Sequence, residues 1–227
     1  MKRLFLRTLL VLGIVLIVFI GYIIYVYFNT NTISKGVAIQ QYKNPNTALL
    51  VIDIQEGITG KYSVYKAHAD QAPAFIKSVN KVILLADSLR IPVIYIQQQT
   101  ENWLLNWNDD YVLAKDARGV ALDQRMEIVS ENIFTKPISD AFSNPELEKF
   151  LIEDQICKLL VTGLDIAGCA FNTSMAAKNR GYEVLVIEDA VISRNQELKE
   201  EKLIELKNEG IRITNSESAI ELLQSTN

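Results

Sequence analysis

The chain has 227 residues and a formal charge of −4, enough for one α/β domain and an appendage. Three of the cations, Lys2, Arg3 and Arg7, precede a long apolar run, so the rest of the chain holds 20 of the 23 basic residues against all 27 acidic ones. This acidic balance excludes nucleic acid as a partner. The single histidine, His68, excludes a Ser-His or Cys-His triad with a spare imidazole and a multi-histidine zinc site.

The first predicted element is a membrane span at residues 8–28, a run of 21 residues without a charge. About 20 such residues cross the hydrocarbon core of a bilayer. Tyr22, Tyr25 and Tyr27 cluster at its far end, as aromatic residues do at a membrane interface. A cleaved signal peptide is the alternative, but its apolar core is about 7–15 residues long and ends at small residues. The run is longer and ends in Tyr-Val-Tyr-Phe at 25–28, with no small-x-small cleavage site, which favours an uncleaved anchor.

The flanking charges predict the orientation of this anchor. Cations precede the span and only Lys35 and Lys43 follow it closely, so the positive-inside rule places residues 1–28 as a cytoplasmic tail and single span, with the rest on the outer face. A cytoplasmic domain is the alternative, because a reactive thiol stays reduced more easily there. Residues 29–46 form a polar linker, and residues 47–227 form the folded domain.

Apolar strand patterns alternate with amphipathic helical patterns along the folded domain. The predicted strands lie near residues 48–53, 92–97, 131–135, 157–162, 183–188 and 211–213. The predicted helices lie near residues 71–90, 145–152, 170–180, 196–209 and 216–224. This alternation predicts an α/β fold: a doubly wound, mainly parallel sheet of about six strands with helices on both faces.

Three of the predicted strands lead to a side chain that can take part in catalysis. Asp53 ends the first strand, Lys136 ends the third, and Cys169 follows the fourth at the start of a helix. The carboxyl ends of parallel strands meet at one edge of a sheet, so we expect the three to converge. The helical N–H groups near Cys169 would lower its thiol pKa and provide donors for an oxyanion. Each residue alone has an ordinary alternative: a helix cap, a solvated charge, or a small buried cysteine.

Taken together, these segments resemble the isochorismatase-like cysteine hydrolase superfamily, which includes nicotinamidases, N-carbamoyl amide hydrolases and isochorismatases. The similar segments, over about residues 47–227, are Leu-Val-Ile-Asp-Ile-Gln at 50–55, the lysine segment at 136–142, Val-Thr-Gly at 161–163 leading to the cysteine, and residues 180–190. The resemblance implies that Asp53, Lys136 and Cys169 form a catalytic triad. It also implies a cis peptide between Leu164 and Asp165, with the backbone N–H groups of Asp165 and Cys169 forming an oxyanion hole.

The resemblance also bears on cofactors. Nicotinamidases carry an Asp-x-His…His metal site after the second strand, whereas here that strand is followed by three glutamines and Thr100. We therefore expect no catalytic metal and no other cofactor, and nicotinamide is disfavoured as the substrate. His68 lies in a polar stretch before a predicted helix and is expected at the surface. Cys157 lies within a strand and Cys169 beyond its end, so two free thiols are expected.

The reaction implied is the cleavage of a C–N, amide-type bond of a small molecule through a thioester. Two alternatives stay open: a vinyl-ether hydrolysis of the isochorismate type, and a catalytically silent, membrane-tethered binding module. The substrate pocket is expected to include Gln55, Gln97, Trp103, Trp107 and Phe142. The region 98–130 breaks the alternation, and it either packs on the domain, forms a pocket wall, or provides a contact in a homo-oligomer.

Overall fold

A six-stranded sheet forms the centre of the protein in the computed structural model, which describes residues 2–225. The strands are β1 (Asn46–Ile52), β2 (Val93–Gln98), β3 (Ile133–Lys136), β4 (Ile156–Gly163), β5 (Glu183–Val191) and β6 (Arg212–Thr214). They lie in the order β3-β2-β1-β4-β5-β6, and all neighbouring pairs are parallel. The predicted doubly wound sheet is confirmed.

Helices cover both faces of this sheet. The described helices are α1 (Lys2–Thr30), α2 (Lys66–Ser88), α3 (Trp103–Asn108), α4 (Pro145–Glu153), α5 (Cys169–Asn179), α6 (Gln196–Asn208) and α7 (Ser216–Ser225), and those that pack on the sheet are α2, α4, α5, α6 and α7. Leu50 and Ile52 of β1 pack with α4, α5 and α6 on one face, whereas Leu49 and Val51 pack with α2 and α7 on the other. Both faces of β1 are buried, which explains why its sequence is apolar throughout instead of alternating.

The strand order creates a crevice where the candidate residues lie. The chain winds outward from β1 to β3 and then returns to place β4 on the other side of β1. Ligands bind at such reversal points in open parallel sheets. The ends of β1 and β4 approach closely at Gly163, where φ is 112° and an added Cβ would lie 2.2 Å from the carbonyl oxygen of Ile52. Glycine therefore permits this close approach.

Helix α1 is long and apolar enough to cross a membrane, and only its final turns contact the domain. Val26 is 4% exposed, Tyr22 stacks on Trp103, and the carbonyl oxygen of Thr30 accepts a hydrogen bond from the backbone N–H of Ser139 at 3.0 Å. Most of the preceding apolar side chains are exposed. The helix is thus joined to the domain at one end and unpartnered along the rest of its described length.

The polar segment after α1, expected as a linker, lies along the domain. The backbone N–H of Ser34 donates to Oδ2 of Asp140 at 2.9 Å, and that of Ile39 donates to the carbonyl oxygen of Arg180 at 2.8 Å. Ile33 and Ile39 also pack against the core on the α4–α6 face. These contacts fix the end of α1 relative to the sheet.

Candidate active site

The three candidate catalytic residues meet at the carboxyl edge of the sheet. Asp53 follows β1, Lys136 is the last residue of β3, and Cys169 is the first residue of α5, after β4. Nζ of Lys136 lies 2.9 Å from Oδ2 of Asp53 and 3.1 Å from Sγ of Cys169. The convergence expected from the strand ends is therefore present in the geometry, with the lysine between the carboxylate and the thiol.

Lys136 is fully buried, and its ammonium group has three acceptors. The third is Oε1 of Gln98, beside Asp53 and Cys169. An ammonium has three N–H donors, so each is used here, as a buried charge requires. Burial alone would lower the pKa of Lys136, but the neighbouring Asp53 and Cys169 raise it. The side chain therefore remains a cation that holds the site together.

Asp53 has one carboxylate oxygen without a partner. The residue is 2% exposed and its Oδ2 accepts from Lys136, while its buried Oδ1 accepts no hydrogen bond from residues 2–225. Buried polar atoms are normally hydrogen-bonded, so an orphaned carboxylate oxygen at this position indicates a functional role. The backbone of Asp53 is left-handed, with φ of 57°, a conformation that aspartate adopts more readily than most residues.

The prediction for the thiol pKa of Cys169 is wrong. The start of α5 was expected to lower it, but burial raises it to about 12; the Asp53 carboxylate adds to this effect and the Lys136 ammonium opposes it. The residue is partly exposed to the cavity, yet its sulfur is otherwise surrounded by protein. The thiol is therefore protonated at neutral pH, and it needs a base when it attacks. Cys157 and Cys169 are both free, as expected.

Two backbone N–H groups beside Cys169 are available to an oxyanion. The peptide between Leu164 and Asp165 is cis, as the resemblance implied. The N–H groups of Asp165 and Cys169 have no acceptor among residues 2–225, whereas those of Ala167 and Gly168 bond to Oδ1 and the carbonyl oxygen of Asp165. Free donors next to a nucleophile are the arrangement that stabilises a tetrahedral intermediate.

The expectation that His68 lies at the surface is wrong. It lies in the first turn of α2, is 9% exposed, and its Nε2 is 3.2 Å from Oδ2 of Asp165. Burial alone would raise the pKa of Asp165, but His68 and the Ala167 N–H lower it. Since an ionised carboxylate only accepts, Nε2 of His68 carries the proton. The helix starts about five residues before the predicted position, which brings His68 to the site.

A cavity of about 290 Å³ opens in front of these residues. Its lining comprises Thr30, Asn31, Asp53, Ile58, Tyr65, His68, Gln98, Thr100, Leu105, Asp109, Leu113, Ser139, Leu164, Asp165, Gly168 and Cys169. Three of these are aspartates, and none of the lining residues that the structure describes is a lysine or an arginine. The lining thus combines carboxylates with apolar side chains.

The five tentative pocket residues lie outside this cavity, which corrects that expectation. Gln55 is fully buried, and its amide pairs with backbone groups of Gln98 and Val120. Gln97 donates to the same carbonyl oxygen of Val120. An amide side chain next to a strand end finds partners in the neighbouring backbone more readily than in an open pocket. The two glutamines therefore hold the loop from region 98–130 onto the sheet.

Phe142, Trp103 and Trp107 lie outside the cavity for a different reason. Phe142 is 5% exposed in the core, with the Arg180 guanidinium 4.3 Å from its ring centre. Trp103 and Trp107 are 54% and 66% exposed and point away from the cavity. Leu105 on the opposite side of the same helix lines it instead. Region 98–130 is thus a wall of the pocket, but through residues that the sequence did not single out.

Gln98 is a site residue that the sequence pattern could have identified, since it ends β2 at the same sheet edge as Asp53, Lys136 and Cys169. Tyr65, Ser139 and Leu113 carry no such signal, because loops bring them to the cavity.

A metal site also lacks support in the residues themselves: within residues 2–225 no three His, Cys, Asp or Glu side chains cluster in a metal-binding arrangement. Gln98 lies after the second strand, where nicotinamidases carry metal ligands, and here its Oε1 accepts a hydrogen bond from Lys136.

Comparison with known proteins agrees with this fold. The isochorismatase domain model matches residues 47–218. A secreted isochorismatase effector from Phytophthora sojae is 25% identical over 184 residues, 77% of this chain and 75% of the relative. The crystal structure of a cysteine hydrolase from Pseudomonas syringae pv. phaseolicola has a TM-score of 0.71 at 20% identity, covering 86% of this chain and 100% of its own.

N-carbamoylsarcosine amidase from Thermoplasma acidophilum has the same fold, with a TM-score of 0.63 at 21% identity, covering 75% of this chain and 96% of its own. At such identities the solved structures establish the fold alone. The family model covers most of the chain, and the matched segment includes Asp53, Lys136 and Cys169. The chain belongs to the isochorismatase-like hydrolase family.

Proposed function

We propose that the protein is a membrane-anchored cysteine hydrolase that cleaves a C–N, amide-type bond of a small molecule. The observation that carries this proposal is the contact of one buried ammonium, Lys136, with both the Asp53 carboxylate and the Cys169 thiol at the floor of a cavity. A nucleophile, a base and an electrostatic partner within hydrogen-bond reach form a complete set for acyl transfer.

The reaction begins with the protonated thiol of Cys169. As sulfur attacks the carbonyl carbon, its proton passes to Asp53, whose Oδ1 has no other hydrogen. The oxyanion accepts from the N–H groups of Asp165 and Cys169. Asp53 then protonates the leaving nitrogen, which departs as an amine or ammonia and leaves a thioester. Asp53 next takes a proton from water as the oxygen attacks the thioester, the carboxylic acid product leaves, and Asp53 returns the proton to the sulfur of Cys169.

The charge of the cavity favours a neutral or cationic substrate. Asp53, Asp109 and Asp165 line it, and the Lys136 ammonium behind Asp53 balances one of these three negative charges. A dicarboxylate of the isochorismate type would place its charges beside these aspartates, which costs free energy in a partly enclosed site. Amide hydrolysis is therefore favoured over vinyl-ether cleavage. A silent binding module would have no need of the unpartnered Asp53 oxygen or of the two free N–H groups.

Release of ammonia or amine from a panel of neutral amides tests this function. We expect the full-length protein in detergent to hydrolyse at least one class of uncharged amide and to form a mass adduct of the acyl group on Cys169 when the reaction is quenched with acid. Anionic amides of the same size should be poorer substrates. Turnover of a vinyl ether without amide hydrolysis would contradict the proposal, and so would the absence of both reactions.

The membrane anchor and its orientation are part of the same proposal. Helix α1 provides the span, three cations precede the apolar run within it, and its last turns contact the domain. We expect a cysteine introduced at the exposed Lys207 in a Cys157→Ser background to react with a membrane-impermeant maleimide in intact cells. A cysteine introduced at Lys2 is the matched control and should react only after lysis. The reverse pattern would place the domain in the cytoplasm.

A further inference from the structure

Helix α3 separates the cavity from the outside of the protein. Its two tryptophans, Trp103 and Trp107, are four residues apart and therefore share one face, which is exposed. Leu105 lies on the opposite face and lines the cavity, as does Asp109, the residue that caps the helix. Exposed tryptophans with cavity-lining residues directly behind them make α3 a thin partition between the cavity and its surroundings.

The anchor helix is part of the same partition. The ring of Trp103 stacks on Tyr22 of α1, with ring centroids 6.0 Å apart and an interplanar angle of 5°. Nδ2 of Asn102, the N-cap of α3, donates to the hydroxyl of Tyr22 at 3.1 Å. Thr30, at the end of α1, lines the cavity. The last turns of α1 and helix α3 therefore both contribute to the wall of the cavity.

The position of Tyr22 along α1 sets the depth of α3 relative to a bilayer. The hydrocarbon core is about 30 Å thick, which about 20 helical residues cross. A span that starts at residue 8 includes Tyr22, and one that starts at residue 4 ends close to it. With a span that starts at residue 4, Trp103, which stacks on Tyr22, lies at the boundary between hydrocarbon and headgroups; with the span at residues 8–28 it lies about 9 Å inside that boundary. Tryptophan and tyrosine concentrate at this boundary.

We propose that α3 lies in the membrane interface and that the cavity takes an amphiphilic amide from the bilayer, through the gap between α1 and α3. The reactive carbonyl would reach Cys169 while the apolar chain stays in contact with lipid. Ile58, Leu113 and Leu164 supply an apolar path inside the cavity. The inference rests on the proposed amide hydrolysis and on the membrane anchor, and it adds the class of substrate and its route of entry.

The fluorescence of the full-length protein in lipid vesicles tests the position of α3. The chain has two tryptophans, Trp103 and Trp107, so all its tryptophan emission comes from this helix. We expect phospholipids with bromine close to the glycerol backbone to quench this emission strongly, and aqueous acrylamide to quench it weakly. Trp103→Phe and Trp107→Phe variants report each residue separately. Emission that acrylamide quenches and brominated lipid does not would overturn the proposal.

The chain-length dependence of hydrolysis tests the substrate class. We expect the full-length enzyme in vesicles to prefer a dodecanoyl amide over the acetyl amide of the same amine. Replacing both tryptophans with serine should lower this preference by about tenfold or more, because α3 would lose its hold on the interface. Ile204→Ser is the matched control: this residue is also exposed and apolar, at 61%, but belongs to α6, which does not line the cavity. It should leave the preference unchanged.

The outcomes separate this inference from the function on which it rests. Hydrolysis of the acetyl amide without any preference for the longer chain would overturn the amphiphilic substrate and leave the cysteine hydrolase in place. Hydrolysis of neither amide, or of any other in the panel, would overturn the hydrolase itself. In that case lipid quenching of Trp103 and Trp107 still decides whether α3 lies in the membrane.

Discussion

Replacement of Cys169 by alanine should lower kcat/KM for amide hydrolysis by about 10⁴-fold or more, because no thioester can form without the thiol. The substitution removes one small group at the start of α5, and Lys136 keeps Asp53 and Gln98 as acceptors. The variant should therefore stay folded, with an unchanged circular dichroism spectrum. Steady-state kinetics with the best amide from the panel measures the loss.

Cys157 provides a matched control for this experiment. It is also free and partly exposed, but it lies near the start of β4, at the opposite end of that strand from Cys169. Cys157→Ala should retain activity within about twofold and should still form the acyl adduct. Cys169→Ser keeps a group of similar shape, and we expect it to be nearly inactive because a serine hydroxyl is a far weaker acid than a thiol. Normal turnover by Cys169→Ala would assign the nucleophile to another group.

The sheet and the convergence of the triad were predictable because both depend on short-range sequence patterns. A strand buried on both faces is a continuous apolar run, as β1 and β4 show, and parallel strands bring their final residues to one edge. Asp53, Lys136 and Cys169 each stand within a few residues of such an end. Their proposed roles came from the family resemblance rather than from the pattern, and they remain proposals.

The walls of the cavity were not predictable, since they depend on contacts between distant segments. Thr30 reaches the site because Ser139, more than a hundred residues later, bonds its carbonyl oxygen. Gln55 turns inward because three backbone groups are available to its amide. The raised pKa of the Cys169 thiol has a similar origin, because burial by many surrounding segments outweighs the local effect of one helix terminus.

Replacement of Asp53 by asparagine should have opposite effects on catalysis and on the reactivity of Cys169. Turnover should fall by about 10³-fold or more, because the variant has no base to take the thiol proton and no acid for the leaving nitrogen. Alkylation of Cys169 by iodoacetamide should become faster. The Asp53 carboxylate raises the pKa of the thiol, so its removal lowers that pKa, and Lys136 then stabilises the thiolate. Asparagine also suits the left-handed backbone at this position.

The pH dependence of Cys169 alkylation shows in which direction Asp53 shifts the pKa of the thiol. With a thiol pKa of about 12, the alkylation rate of the wild type should rise throughout the neutral and mildly alkaline range without reaching a plateau. The Asp53→Asn profile should shift to lower pH, with about a tenfold gain in the thiolate fraction at a given pH for each unit by which the thiol pKa falls. Both proteins carry Cys157→Ser, so that Cys169 is the only thiol measured.

Asp123→Asn provides the matched control, because Asp123 is also 2% exposed but pairs with Arg125 and Thr59 outside the cavity. It should leave the alkylation profile of Cys169 where the wild type has it, whatever it does to stability. A general loosening of the fold would speed alkylation in both variants, whereas the electrostatic role of Asp53 affects one alone. If Asp53→Asn slows alkylation, Asp53 is not the source of the raised thiol pKa. If it lowers turnover no more than Asp123→Asn does, Asp53 is not the base.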